Sequence, residues 1–106
     1  MGGDGQPQSQ AAIFTRYAMF GQDLQQSVTA PRWLLGRTWG QASVTLKIES
    51  RIDGEVVNAL ARAGHSVEVV EPYSDLVGHA GALVLHPDGV IAGAADPRSD
   101  GTVAGF

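Results

Sequence analysis

LKIESRIDGEVVNALARAGHSVEVV, residues 46–70, decides the fold class. Its opening completes an alternating run, Ser43 to Glu49, that sets Val44, Leu46 and Ile48 on one face, the period of a half-buried strand. Asp53 then stands where a helix N-cap belongs, because its carboxylate accepts from a free N–H of the first turn. Val56, Leu60 and Ala63 face one way at helical spacing, with Glu55, Asn58 and Arg62 opposite. Gly64 supplies a left-handed stop, and Ser66 to Glu71 reads as a second strand ended by Pro72.

Outward from this strand–helix–strand unit, the pattern extends both ways. Downstream, Gly81–His86 and Val90–Ala95 flank Pro87-Asp88-Gly89, a hairpin signal. Ala82-Leu83-Val84-Leu85 does not alternate, so that strand is expected to be covered on both faces. Upstream, Ile13, Tyr17, Phe20 and Leu24 recur at helical spacing, widened by Phe14 and Ala18, after a Pro7 suited to a first turn. Gly21 ends that helix; Asp23, with Gln26 three residues on, opens a second, which Ala30-Pro31 stops. The order α, α, β, α, β, β, β predicts an α+β fold. It is one domain over residues 1–106, with three helices on a mainly antiparallel sheet of about four strands.

Composition narrows the functions. Seven scattered Lys and Arg residues against eleven Asp and Glu give a net charge of −4 and no basic stripe, which excludes nucleic acid as a partner. No apolar run approaches the roughly 20 residues that span a bilayer, so no membrane partner is expected. The N-terminus has no leader pattern; the compartment stays open, with the cytoplasm favoured. Cysteine is absent, and His65, His79 and His86 share no ligand spacing, so neither a metal nor a cofactor is expected.

Chemistry concentrates at the two ends. MGGDGQPQ, residues 1–8, is glycine-rich and leads into a helix, where main-chain N–H groups and the helix dipole suit an oxyanion or a carboxylate. A flexible tail is the structural alternative. Asp96-Pro97-Arg98 reads either as a clamp for a ligand carboxylate or, in preference, as a buried ion pair pinning the last strand. Arg32, Trp33, Arg37 and Trp39 read as a packed aromatic loop rather than a stacking platform. Ser9, Ser27 and Ser43 lack a neighbouring base or a nucleophile-elbow context, which excludes a self-contained serine hydrolase.

Four strings in order carry a resemblance: MGGDGQPQ (1–8), FGQDLQQSVTAPRW (20–33), LKIESRIDGEVVNALARAGHSVEVV (46–70) and HPDGVIAGAADPRSDGTVAGF (86–106). Together they resemble the C-terminal part of the small subunit of a gamma-glutamyltransferase (gamma-glutamyltranspeptidase), in its acylase-like bacterial branch. That resemblance implies a self-cleaving precursor, an N-terminal threonine nucleophile with its own α-amine as base, and an αββα sandwich of the N-terminal nucleophile (Ntn) type. The acyl group, a gamma-glutamyl unit from a substrate such as glutathione, passes to water or to an amino acid. The family's glycine pair, whose backbone donors hold the oxyanion, falls on Gly5 and Gln6. Gln6 departs from glycine, but the donor is a main-chain N–H that glutamine also has, and the role survives if φ there stays negative.

No residue of this chain matches the family's nucleophilic threonine or its substrate-binding serines. The resemblance therefore implies a portion of a larger enzyme, inactive alone. Its partners would be the upstream segment and the large subunit, or a second copy by self-association through faces such as that of Leu83 and Leu85. A cephalosporin or glutaryl acylase of the same fold is the alternative substrate class. A non-catalytic α+β module that oligomerises is the alternative of a different kind.

Overall fold

A computed structural model of the chain describes every residue except Met1, Gly2, Thr38, Trp39, Gln41 and Phe106. Helix α1 (Gly5–Phe14) leads into a π-helical turn, Thr15–Met19, and α2 (Leu24–Thr29) follows. Three short strands, β1 (Trp33–Leu35), β2 (Leu46–Glu49) and β3 (Val67–Val70), form one sheet, with α3 (Gly54–Arg62) crossing from β2 to β3. A separate hairpin pairs β4 (Gly81–Leu85) with β5 (Ile91–Ala95).

The α+β class stands. Among the described residues the strands number five in two sheets where one sheet of about four was expected, because Trp33–Leu35 pairs antiparallel with β2 (Leu34 opposite Lys47). The βαβ unit is parallel, with Leu46 opposite Val67 and Glu49 opposite Val70, as a crossover helix requires.

Local signals set the boundaries. Asp23 Oδ1 accepts from Gln26 N–H at 3.0 Å, and Asp53 Oδ1 from Glu55 N–H at 2.8 Å, so both caps form. Gly21 (φ +66°) and Gly64 (φ +98°) take the left-handed conformation that ends a helix. The first helical stripe is only partly buried. Ile13 and Leu24 are buried, Tyr17 is half-buried, and Phe14 and Phe20 are exposed. Beyond Phe14 the helix widens, for Phe20 N–H reaches back five residues to Thr15 O at 3.1 Å. That wider turn shifts the phase of everything after it.

Ile13, Leu24, Val28 and Ala94 form the core between the first two helices and the hairpin, with Tyr17, Ala80, Ala82, Val84 and Ala92 packed around them. Ala82 and Val84 thus meet helices, while Leu83 and Leu85 stay largely exposed, at 74% and 72%. The covering expected for both faces of β4 is present on one. Helix α3 likewise buries none of its residues, and Val56 remains exposed. Beyond β5 the tail folds back so closely that a Cβ on Gly93 would lie 2.5 Å from Val103 Cγ1.

Candidate functional site

The N-terminal turn is an ordered corner. Gly3 has φ +59°, reversing the chain so that Asp4 stands at the N-cap position of α1, without a side-chain capping bond, and Gly5, buried, becomes its first residue. Gln6 is the second helical residue, so its φ is negative, meeting the condition set for it as a main-chain donor. Its N–H donates to Gly3 O at 3.2 Å, a long bond that an incoming oxyanion would have to share or displace. Gly2 lies outside the described residues.

Gln8 fixes this corner. Its carboxamide Nε2 donates to Asp4 O and to Leu35 O, both at 3.0 Å, while its Oε1 accepts from Leu35 N–H at 2.8 Å. One side chain therefore ties the turn to the outer edge of β1. No sequence signal singled out Gln8, because its partner is 27 residues away.

Alongside runs a cleft of about 720 Å³ between α1 and β4. Gln6, Gln10, Phe14 and Tyr17 line it from the helix, and Leu83 from the strand. His79 also lines it, but the three histidines build no metal centre: among the described residues no group of three or more His, Cys, Asp or Glu is placed to hold an ion.

The second cluster is a buried ion network. Arg98 donates from Nε to Glu49 Oε1 (2.8 Å), from Nη2 to Glu49 Oε2 (2.6 Å) and from Nη1 to Asp96 Oδ1 (2.9 Å). Arg32 pairs with Asp96 Oδ2 and donates from its main chain to Glu49 Oε2 at 2.9 Å. Arg51 completes the set on Glu49 Oε2 at 2.9 Å and lies 3.8 Å from the centre of the Tyr73 ring. Tyr73 holds φ +57°, a costly backbone for a bulky residue.

Burial alone would raise the Glu49 carboxyl, but the Arg98 hydrogen bonds, the Arg32 N–H and the charges of Arg98 and Arg51 more than reverse it, holding Glu49 below the usual range. Asp96 follows the same pattern: burial pushes it up, and the Arg98 N–H with the charges of Arg32 and Arg98 brings it down further. For Arg98, burial works to lower the guanidinium, and bonds to Glu49 and Asp96 raise it overall. Arg32 ends lowered, by burial and then by the Arg98 charge. Every carboxylate oxygen in the cluster is occupied, so Asp96-Pro97-Arg98 is the structural pin and offers no free fork to a ligand.

The remaining candidates sort quickly. Ser9 Oγ donates to Val77 O at 3.4 Å, and Ser27 Oγ to Asp23 O at 2.9 Å. Ser43, given no base by sequence, has Lys47 Nζ at 3.4 Å, yet that ammonium is spent on acceptors: Gly36 O at 3.0 Å, Thr45 Oγ1 at 2.8 Å and Glu68 at 3.8 Å. Arg32 belongs to the ion network, the Arg37 side chain donates to Gly40 O at 2.5 Å, and Trp33 carries Arg16 at 6.0 Å from its ring centre. Trp39 lies outside the described residues. No described helix is long and apolar enough to cross a membrane.

A protein-family model described as gamma-glutamyltranspeptidase matches residues 1–106. The oxamate amidohydrolase proenzyme of Klebsiella pneumoniae is 57% identical over 106 residues, covering 100% of this chain and 20% of that protein. A glutathione hydrolase-like proenzyme of Bacillus subtilis is 44% identical over 105 residues, 99% of this chain and 20% of that one. Among solved structures, a cephalosporin acylase from Bacillus halodurans superposes with a TM-score of 0.83 at 32% identity, over 100% of this chain and 19% of its own. The chain thus spans about a fifth of the length of these relatives.

Proposed function

We propose, because this chain belongs to the gamma-glutamyltranspeptidase family, that it serves an Ntn-type enzyme cleaving amide bonds, as the portion that carries the oxyanion corner and part of the scaffold. The substrates are gamma-glutamyl amides such as glutathione, with the acyl group passing to water or an amino acid. The observation that carries this reading is the family match from residue 1 to residue 106. The order of events is attack on the amide carbonyl by an N-terminal threonine supplied outside this chain, collapse of the tetrahedral oxyanion held by the Gly5 and Gln6 N–H groups with the C–N bond breaking and the protonated amine leaving, then attack of water or an amino acid on the threonine ester to release the acyl group. The proposed partners are the remaining polypeptide of the larger enzyme, or a second copy where that is missing.

Oxamate, a small carboxylate amide, is a second substrate reading, favoured by the 57% identity to the Klebsiella relative over the whole chain. A cephalosporin side chain is a third, supported by the acylase superposition. All three share amide cleavage and differ in the acyl group and in the amine that leaves.

The test is a chimera in which this chain replaces the matching stretch of the Klebsiella relative. Self-cleavage, followed by ammonia release from oxamate or anilide release from a gamma-glutamyl anilide, is the expected outcome. The chain alone should give neither. Turnover by the chain alone, or a folded chimera that neither cleaves itself nor turns over amide, overturns the reading.

A further inference from the structure

We infer that the buried ion network is also a binding site for one small monovalent anion of halide size, held by the guanidinium donors that Arg32 does not spend on Gly78 and Asp96. The inference goes beyond the amide-cleavage reading and does not depend on it.

Arg32 is 1% exposed. Its main-chain N–H donates to Glu49 Oε2 at 2.9 Å, and its Nη2 donates to Gly78 O at 2.6 Å and pairs with Asp96 Oδ2. Nε and Nη1 of the same side chain are buried and have no hydrogen-bond partner among the described residues. Buried donors of this kind are bonded to protein, to water or to an ion in nearly every folded protein. Arg51 Nε is unpartnered too, but its guanidinium carbon lies 3.8 Å from the centre of the Tyr73 ring, whose π face is a soft acceptor. Arg32 has no such ring: the described cation–ring contacts belong to Arg16, Arg51 and Arg98.

The neighbouring carboxylates are committed elsewhere. Glu49 Oε1 takes Arg98 Nε, and Oε2 takes Arg98 Nη2, Arg51 Nη2 and the Arg32 N–H. Asp96 Oδ1 takes Arg98 N–H and Nη1, and Oδ2 takes Ala80 N–H at 2.8 Å beside Arg32. Four guanidinium groups, of Arg16, Arg32, Arg51 and Arg98, thus share two carboxylates. Arg16 is lowered by burial and then by the charge of Arg32; Arg32 is lowered by burial and then by the charge of Arg98. A guanidinium does not shed its proton to relieve such crowding, so relief has to come as negative charge.

Shape separates the candidate anions. A carboxylate grips a guanidinium by a two-pronged edge, Nε with Nη2 or Nη1 with Nη2. Both edges contain Nη2, which Gly78 O and Asp96 already occupy. Single N–H directions are left, and they suit a spherical ion. Burial argues for one charge rather than two, because stripping water from a divalent anion costs more.

Bromide is the probe. Crystals of the chain, and of the chimera with the Klebsiella relative, grown in sodium bromide should show an anomalous peak in contact with Arg32 Nε or Nη1. In solution the bromide NMR line should broaden when the chain is added. Arg32→Lys keeps the charge but carries neither donor, and should weaken bromide binding by about tenfold or more. Arg62→Gln, at an exposed position of α3, should leave binding unchanged. If Arg32→Lys does not fold, the crystals decide. Water or a protein oxygen at these donors, without anomalous signal, overturns the proposal. So does a bromide peak in the chain alone that a carboxylate of the remaining polypeptide replaces in the chimera. Broadening that a folded Arg32→Lys variant leaves intact marks an adventitious ion only, and overturns it as well.

Discussion

Arg98 grips Glu49 with two hydrogen bonds, Nε to Oε1 at 2.8 Å and Nη2 to Oε2 at 2.6 Å, across 49 residues of chain. Both side chains are fully buried. The same guanidinium reaches Val28 O at 3.3 Å and Ala30 O at 3.1 Å, so one residue ties the end of α2, the end of β2 and the exit of β5. Arg98→Ala leaves Glu49 without its main partner. We expect a loss of about 3–5 kcal/mol, as for other broken buried pairs, and a melting temperature lower by more than about 10 °C. Arg98→Lys keeps the charge and loses the fork, so its melting curve should fall between the two.

The two carboxylates give the pH dependence its sign. Glu49 and Asp96 are held below their ordinary range in the folded state, their arginine bonds outweighing burial. A depressed folded pKa stabilises above the unfolded value of about 4 and is lost as pH falls through the folded values. Urea midpoints should be level from pH 7 to about pH 5 and drop steeply below about pH 4. Glu49→Gln should lower the neutral-pH midpoint and flatten the acid slope; an unchanged slope would show that these groups do not govern acid unfolding.

Gln8→Ala removes three hydrogen bonds at the N-terminal corner. Because Gln8 is half-buried, about 1–2 kcal/mol in total is the expected cost. The local mark should be clearer than the global one: the Leu35 amide, protected only by Gln8 Oε1, should exchange much faster.

Gln6→Pro tests the corner as chemistry. Proline is tolerated in the first helical turn, and it deletes the N–H proposed as a donor. In the chimera, kcat should fall by about 10²–10³-fold with self-assembly intact. Loss of less than about tenfold would remove Gln6 from the oxyanion site.

The Leu83–Leu85 face predicts association of the isolated chain, since both side chains are more than two-thirds exposed. Light scattering at micromolar concentration should show species larger than a monomer. The double variant Leu83→Lys, Leu85→Lys should restore a single 11.1 kDa species.

Local chemistry was legible in the sequence. Asp23, Asp53, Gly21 and Gly64 marked helix ends, and Pro87-Asp88-Gly89 marked the hairpin, because each acts on neighbours within four residues. Strand β1 was hidden. Three residues carry too little periodicity, and Trp33–Leu35 becomes a strand only by pairing with Leu46–Ile48. The π-helical turn was hidden too, since it rests on one main-chain bond five residues long and alters the phase only of residues beyond Thr15, Phe20 among them. The ion network was half visible: Asp96 and Arg98 announced a pair, but Glu49 and Arg32 sit in segments that read as strand and loop. Nothing local says that four charges so far apart in the chain will meet.

The position of Arg98 also sets an order of events during synthesis. Glu49 leaves the ribosome 49 residues ahead of the guanidinium that neutralises it, a delay of about 2–10 s at ordinary elongation rates. Throughout that interval Glu49 lacks the guanidinium that offsets its burial in the finished fold. Closure of the two sheets over Glu49 is therefore favoured only once the segment around Arg98 has emerged, and a polypeptide interrupted before Arg98 would stay open to chaperones and proteases.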